Sequence, residues 1–340
     1  MLTPIRIGVL GCGKIAQVRH IPEYATNPNA VLVGFYDAVP ERAEEMATCY
    51  GGKAFATAEK LLACEDIDAV SICTPNFTHA ALTVAALRSG KHVLCEKPMA
   101  TTPEECEEMI EAAREANKLL LIAHNQRYST LHQRAKELLD DGAIGKPLTF
   151  KTAFGHGGPD HWSIHPGTDS WFFDKSRSAF GAIADLGIHK LDLIHFLLND
   201  KTAQIQAMCG VLDKKDADGN PVSVEDNAVM LCRLKSGVIG TVTVSWTRYG
   251  VEDNDTVIYG TEGQLEICDK EQSIRVRQKN GNMIDIPLLK QSVSGVINAF
   301  INAILTGEHT PIHADEVLPA MQAIFAAVQA TRGKQIMCVV

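Results

Sequence analysis

At 340 residues with 46% hydrophobic content, the chain is long enough for about two domains with full apolar cores. A net charge of −9 and the lack of any lysine- or arginine-rich run exclude a nucleic-acid partner and disfavour anionic membrane surfaces, because no phosphate-neutralising stripe is on offer. No apolar run approaches the ~18 residues of a spanning helix, the first six residues lack a secretory layout, and ten cysteines without a C-x-x-C pair suit a reducing compartment, so a cytoplasmic protein is expected.

Strand-length apolar runs at residues 5–10, 31–36, 69–73, 92–95 and 119–123 alternate with helical patterns, which predicts βαβ units on a parallel sheet. Pro40 and Pro103 fall at predicted helix starts, where a missing N–H costs least. After about Asn125 the pattern changes. A helix near 131–139 leads to a strand at 148–154, then to a loop rich in His, Gly, Trp and Asp over 155–174, then to a helix from about 182 to 198. Strand-like stretches follow at 205–211, 228–234, 238–246, 256–259, 264–267 and 274–277. Turn pairs such as Asp218-Gly219 and Asn280-Gly281 punctuate them, as in an antiparallel or mixed sheet. Two late helices are expected at 293–305 and 315–332.

The first strand runs into Gly11-Cys12-Gly13-Lys14-Ile15-Ala16, a G-x-G-x-x-A fingerprint opening a helix. Gly11 permits the tight turn, Gly13 lets the backbone approach a pyrophosphate, and Ala16 allows close helix packing, with the helix N-terminus facing the anion. Asp37 ends the second strand, where an acid is suited to a ribose 2′-hydroxyl and repels a 2′-phosphate. NAD is therefore favoured, with Arg42 close enough in sequence to keep NADP as the alternative. The stretch from Cys73 to His79, with Thr74 and Asn76, falls at the carboxyl end of another parallel strand, where such sheets place ligands; an ordinary helix-capping turn is the equal alternative.

Lys97, in Glu96-Lys97-Pro98, lies at the same edge of the sheet. Asp185 and His189 are spaced i, i+4, which puts both on one face of a helix, with Asp192 a turn further. Taken alone, each reads as a surface pair, a helix-start charge or a packing histidine. Together they resemble the Gfo/Idh/MocA oxidoreductase family over essentially the whole chain: G-x-G-x-x-A at Gly11 to Ala16, T-P-N with His79, E-K-P at Glu96 to Pro98, Asn125-Gln126-Arg127-Tyr128, and D-x-G-x-H-x-x-D from Asp185 to Asp192. One departure is visible, because the glycine run usual before the aspartate is here Phe180-Gly181-Ala182.

The resemblance implies an α/β protein with an N-terminal Rossmann domain (1–124), doubly wound on a parallel sheet, and a C-terminal α/β domain (125–340) with a large open, mostly antiparallel sheet. It also implies that Lys97, Asp185 and His189 are catalytic. Expected cofactor residues are Gly11, Gly13, Lys14, Ile15, Ala16, Asp37, Arg42, Thr74, Asn76, His79, Glu96, Lys97, Asn125 and Arg127. Expected substrate residues are Tyr128, His156 and Trp162 beside the catalytic three. The expected activity is hydride transfer between a secondary hydroxyl of a sugar, polyol or related small molecule and NAD. A redox-neutral NAD-cycling hydrolase or epimerase and a non-catalytic dinucleotide sensor are the rivals. His156, His161 and His165 fit no standard zinc spacing, and the segment Asp216 to Glu225 reads as a hairpin turn rather than a calcium loop. The apolar alternation over 238–246 suggests sheet pairing between subunits, hence a homodimer or homotetramer by family analogy.

Overall fold

The computed structural model describes residues 3–164, 166–333 and 335–339. They fall into two compact units. The first is built on residues up to Asn125 together with Val293–Val317 and the short segment at Ser163; the second comprises Gln126–Trp162, Pro166–Ser292 and the residues from Leu318.

In the first unit, β1 (Ile5–Leu10), β2 (Ala30–Tyr36), β3 (Lys53–Ala54), β4 (Ala69–Ile72), β5 (His92–Cys95) and β6 (Leu120–Ile122) form one sheet in the order β3-β2-β1-β4-β5-β6. Every pairing is parallel. This is the doubly wound order whose direction reverses between β1 and β4, so ligands are expected beyond the carboxyl ends of those two strands. All of β4 and nearly all of β5 is buried, because helices cover both faces of a parallel sheet. The helix Pro103–Ala116 starts as its sequence demands: Thr102 accepts the Glu105 amide, Glu105 accepts the Thr102 amide, and Pro103 occupies the first turn. Val293–Val317 joins this unit through Ser294, which donates from its amide (2.6 Å) and its hydroxyl (2.8 Å) to Glu23, and through the Ile122 amide, which donates to Ile312 O at 2.9 Å.

The second unit carries β7 (Pro147–Gly155), β8 (Thr202–Gly210), β9 (Asn227–Leu234), β10 (Ile239–Ser245), β11 (Thr256–Gly260), β12 (Gly263–Cys268), β13 (Ser273–Gln278), β14 (Met283–Pro287) and β15 (Met337–Cys338). They form a nine-stranded sheet, ordered β14-β13-β12-β11-β7-β10-β9-β8-β15. Only β7 and β10 pair in parallel. In β9 every second residue is buried, with Ala228, Met230, Cys232 and Leu234 facing inward. In β10, Val242 and Val244 point inward, and Gly240 leaves room for the Phe150 ring. The apolar set of the 238–246 stretch is thus spent inside the unit, and the exposed apolar residues sit on its neighbours instead: Met208 (79% exposed) lies opposite Val229 (52%), and Leu231 (49%) lies two residues on. Among the described residues no helix is long and apolar enough to cross a membrane.

Candidate functional site

In the first unit the candidate residues lie on loops at the carboxyl edge of its sheet. Gly11 has φ +89°, and a Cβ there would lie 2.7 Å from the Cys73 backbone, so only glycine lets these two loops touch. Gly13 faces open space, which is what a dinucleotide backbone needs to approach the amides at the start of the helix that Lys14, Ile15 and the buried Ala16 begin. Asp37 is already engaged: one oxygen accepts the Cys12 amide at 2.7 Å, the other accepts the Val39 amide at 2.8 Å, and Arg42 stands 3.7 Å away. The acid at the end of β2 therefore braces the glycine loop itself, a role its place in the sequence did not reveal. Thr74 accepts the Thr78 hydroxyl at 2.6 Å, and Asn76 is buried in the same turn. His79, expected at the cofactor, is buried with its ring nitrogens 2.8 Å from Pro98 O and 2.9 Å from Thr74 O. It ties the Thr74 turn to the Pro98 turn, and burial pulls its pKa down.

From Val93 to Ala100 only Lys97 is partly exposed. Its amide donates to Glu96 at 3.1 Å, and Glu96 meets His20 Nε2 at 2.9 Å. His20 in turn contacts Ser71, which also bonds Tyr24. Burial alone would raise the Glu96 pKa, but the hydrogen bond and charge of His20, with Arg19 and Lys97, outweigh it and hold the pKa down to about 2. The sign of the consequence follows from linkage: ionised Glu96 stabilises the fold above the ordinary carboxyl value of 4.5, and that contribution is lost as pH falls from 4.5 toward about 2. Denaturant midpoints measured across that window should fall more steeply for the wild type than for Glu96→Gln; equal slopes would reject the ionised pair.

In the second unit the candidate residues lie on a helix and a loop. Residues 183–187 form a turn of π-helix that passes into the helix Ile188–Leu198, a local widening often found at working sites. It carries Asp185, whose carboxylate accepts the Trp246 indole N–H at 3.1 Å, and His189, whose ring meets Phe154 edge-on at 5.6 Å. Phe154 also meets the His156 ring at 5.8 Å, so His156 and His189 flank one aromatic side chain. His156 Nδ1 accepts the Gly158 amide at 2.9 Å, Trp162 is exposed, and His165 lies outside the described residues. Trp246 is buried and packed by Phe172 and Phe173.

Arg127 and Asp192, which the sequence did not connect, form a buried two-pronged pair with Nε donating at 2.8 Å and Nη2 at 2.7 Å. Arg127, expected at the cofactor, thus spends two donors on the last acid of the D-x-G-x-H-x-x-D motif. Tyr128, expected at the substrate, follows it half-buried; Asn125 is half-buried at the end of the first unit. Lys190, unassigned from sequence, is fully buried and donates to Asn254 O at 3.0 Å, and burial draws its pKa down to about 7. Gly181 explains the shortened glycine run: a Cβ there would collide with Glu225 O, whereas Ala182 only donates its amide to that oxygen at 2.8 Å.

Comparison with known proteins bears on the family and the fold. Residues 5–124 match the profile of the oxidoreductase family with the NAD-binding Rossmann fold, and residues 132–266 match the Gfo/Idh/MocA C-terminal domain. The chain is 33% identical over 261 residues to 1,5-anhydro-D-fructose reductase of Ensifer adhaerens, covering 76% of this chain and 74% of that one. It is 29% identical over 288 residues to levoglucosan dehydrogenase of Pseudarthrobacter phenanthrenivorans, covering 77% and 73%. Among solved structures, the aldose-aldose oxidoreductase of Caulobacter crescentus superimposes with a TM-score of 0.86 at 25% identity, covering 98% of this chain and 99% of that one.

Proposed function

The chain belongs to the Gfo/Idh/MocA oxidoreductases, and from that membership we propose that it oxidises a secondary hydroxyl of a sugar or polyol with NAD, or runs the reverse reduction. The observation that carries the reading is that each unit holds a prepared group of its own. Lys97 is the one partly exposed side chain in a buried stretch at the ligand edge of its sheet, and Asp185 is oriented by an indole N–H one turn before His189. The open face at Gly13 and the helix start behind it suit a dinucleotide pyrophosphate. A bound nicotinamide supplies the hydride acceptor.

In this reading, the catalytic groups are Lys97 in the first unit and His189 with Asp185 in the second. The imidazole of His189 takes the hydroxyl proton as general base. The ammonium of Lys97 stabilises the alkoxide as it develops, and Asp185, fixed by Trp246, orients the substrate or the imidazole. Aromatic Trp162 covers an apolar sugar face, and His156 binds a hydroxyl.

The test is a panel of sugars and polyols incubated with NAD or NADP while the absorbance of reduced cofactor is followed. Net reduction, stronger with NAD, is expected. Product without net reduction marks a redox-neutral cycle, and tight NAD binding with neither marks a sensor. The outward face of β8 and β9, with Met208, Val229 and Leu231, supports pairing with a second copy as a homodimer or homotetramer. Light scattering should give a multiple of 36.9 kDa; a monomer at assay concentration removes that part of the proposal.

A further inference from the structure

The segment that enters β9, Ser223 to Asp226, holds more of the second unit's site than any residue the mechanism uses. Ser223 Oγ donates to Phe173 O at 2.7 Å and accepts the Lys175 amide at 2.8 Å, which pins the loop whose Phe172 and Phe173 pack Trp246. Glu225 Oε1 accepts the Gly181 amide at 2.8 Å and the Ile183 amide at 3.2 Å, and its backbone oxygen accepts the Ala182 amide at 2.8 Å. Three consecutive amides at the start of the helix that bears Asp185 and His189 therefore end on one residue. A carboxylate there satisfies donors that a helix start leaves without internal partners.

Asp226 faces the other way. Its buried carboxylate accepts the amides of Leu212, Asp213 and Lys214, each at 2.8 Å, and the Asn227 side chain at 3.0 Å. The turn so formed delivers Lys214, whose ammonium donates to both oxygens of Asp160 at 2.8 Å and to Gly157 O at 2.6 Å, within the loop that carries His156 and Trp162. The Asp226 backbone oxygen also accepts the amide of Trp246, the residue that holds Asp185.

We propose that adjacent Glu225 and Asp226 are positioning residues with divided roles: Glu225 sets the helix carrying Asp185 and His189, and Asp226, acting through Lys214, sets the sugar-facing loop from His156 to Trp162. This rests on the oxidoreductase reading for its kinetic half only. Glu225→Ala removes the side-chain acceptor, Glu225→Gln keeps an oxygen in the same place, and Lys214→Met cuts the link to the loop without removing the buried Asp226.

In hydrogen exchange on the whole protein, Glu225→Ala should speed exchange at the amides of Gly181 and Ile183, with Glu225→Gln close to wild type, and Lys214→Met should speed exchange over 157–161 instead. With the sugar that the panel identifies, Glu225→Ala should lower kcat about tenfold to a hundredfold, leave KM within about threefold, and be rescued by glutamine. Lys214→Met should raise the sugar KM about tenfold with kcat nearly unchanged. Unchanged exchange at Gly181 and Ile183 in Glu225→Ala overturns the proposal, as does the same kinetic parameter changing in both variants. A wild-type protein that turns over nothing on the panel defeats the oxidoreductase reading instead, and the exchange pattern then decides on Glu225 and Asp226 by itself.

Discussion

Lys97→Met lowers kcat by about a hundredfold to a thousandfold, the range seen when a preorganised donor to a developing oxyanion is removed, while the Kd for NAD moves by no more than about threefold. Methionine keeps most of the volume and removes the ammonium, which preserves the packing against buried Pro98 and Met99. Steady-state kinetics with the sugar from the panel, alongside NAD titration by fluorescence, separates the two quantities. On the proposed role, in which the charge acts chiefly as the hydroxyl becomes an alkoxide, the loss should fall on kcat rather than on KM. Turnover within about tenfold of wild type, or an equal loss of NAD affinity, would remove Lys97 from the chemistry.

The largest expected effect on stability comes from the pair Arg127 and Asp192. Both are buried, and their two bonds of 2.8 and 2.7 Å satisfy each other's charge. Asp192→Leu leaves a guanidinium in the core of the second unit with no counter-charge from this residue, at a cost of about 3–5 kcal/mol. Over a unit of this size that lowers Tm by roughly 10 °C. The double variant Arg127→Met with Asp192→Leu should recover most of the loss, since an apolar pair of similar volume replaces the ions at little net cost. Thermal and denaturant unfolding of the two single variants and the double variant gives the coupling. Additive losses would mean the pair is not a coupled unit. The double variant also tests Arg127 at the cofactor: weakened NAD binding in a protein restored to normal stability would place Arg127 there, and unchanged binding would confine it to the core.

Much of the architecture could be read from the chain because it is written in short-range patterns. Continuous apolar runs such as Ala69–Ile72 mark strands buried on both faces. Thr102, Pro103 and Glu105 announce their own helix start. What local pattern lacks, the reading lacks: β3 and β15 are two residues long, and β14, with every residue at least partly exposed, has no apolar alternation to reveal it. The 238–246 alternation was visible, but its buried side faces the unit's own core, because a period of two cannot say which body covers the apolar face.

The same division runs through the site. By itself the sequence determined which chemistries are present, since an amine after a strand, an acid and an imidazole a helical turn apart, and a glycine fingerprint are each properties of a few neighbouring residues. Only the tertiary structure decided how those groups are held: Asp37 gripping the glycine loop, His20 on Glu96, Trp246 on Asp185, Arg127 on Asp192 and Glu225 on the helix start. These partners lie 25 to 76 residues apart. A hydrogen bond forms wherever folding brings donor and acceptor within about 3 Å, and no spacing in the chain encodes that meeting.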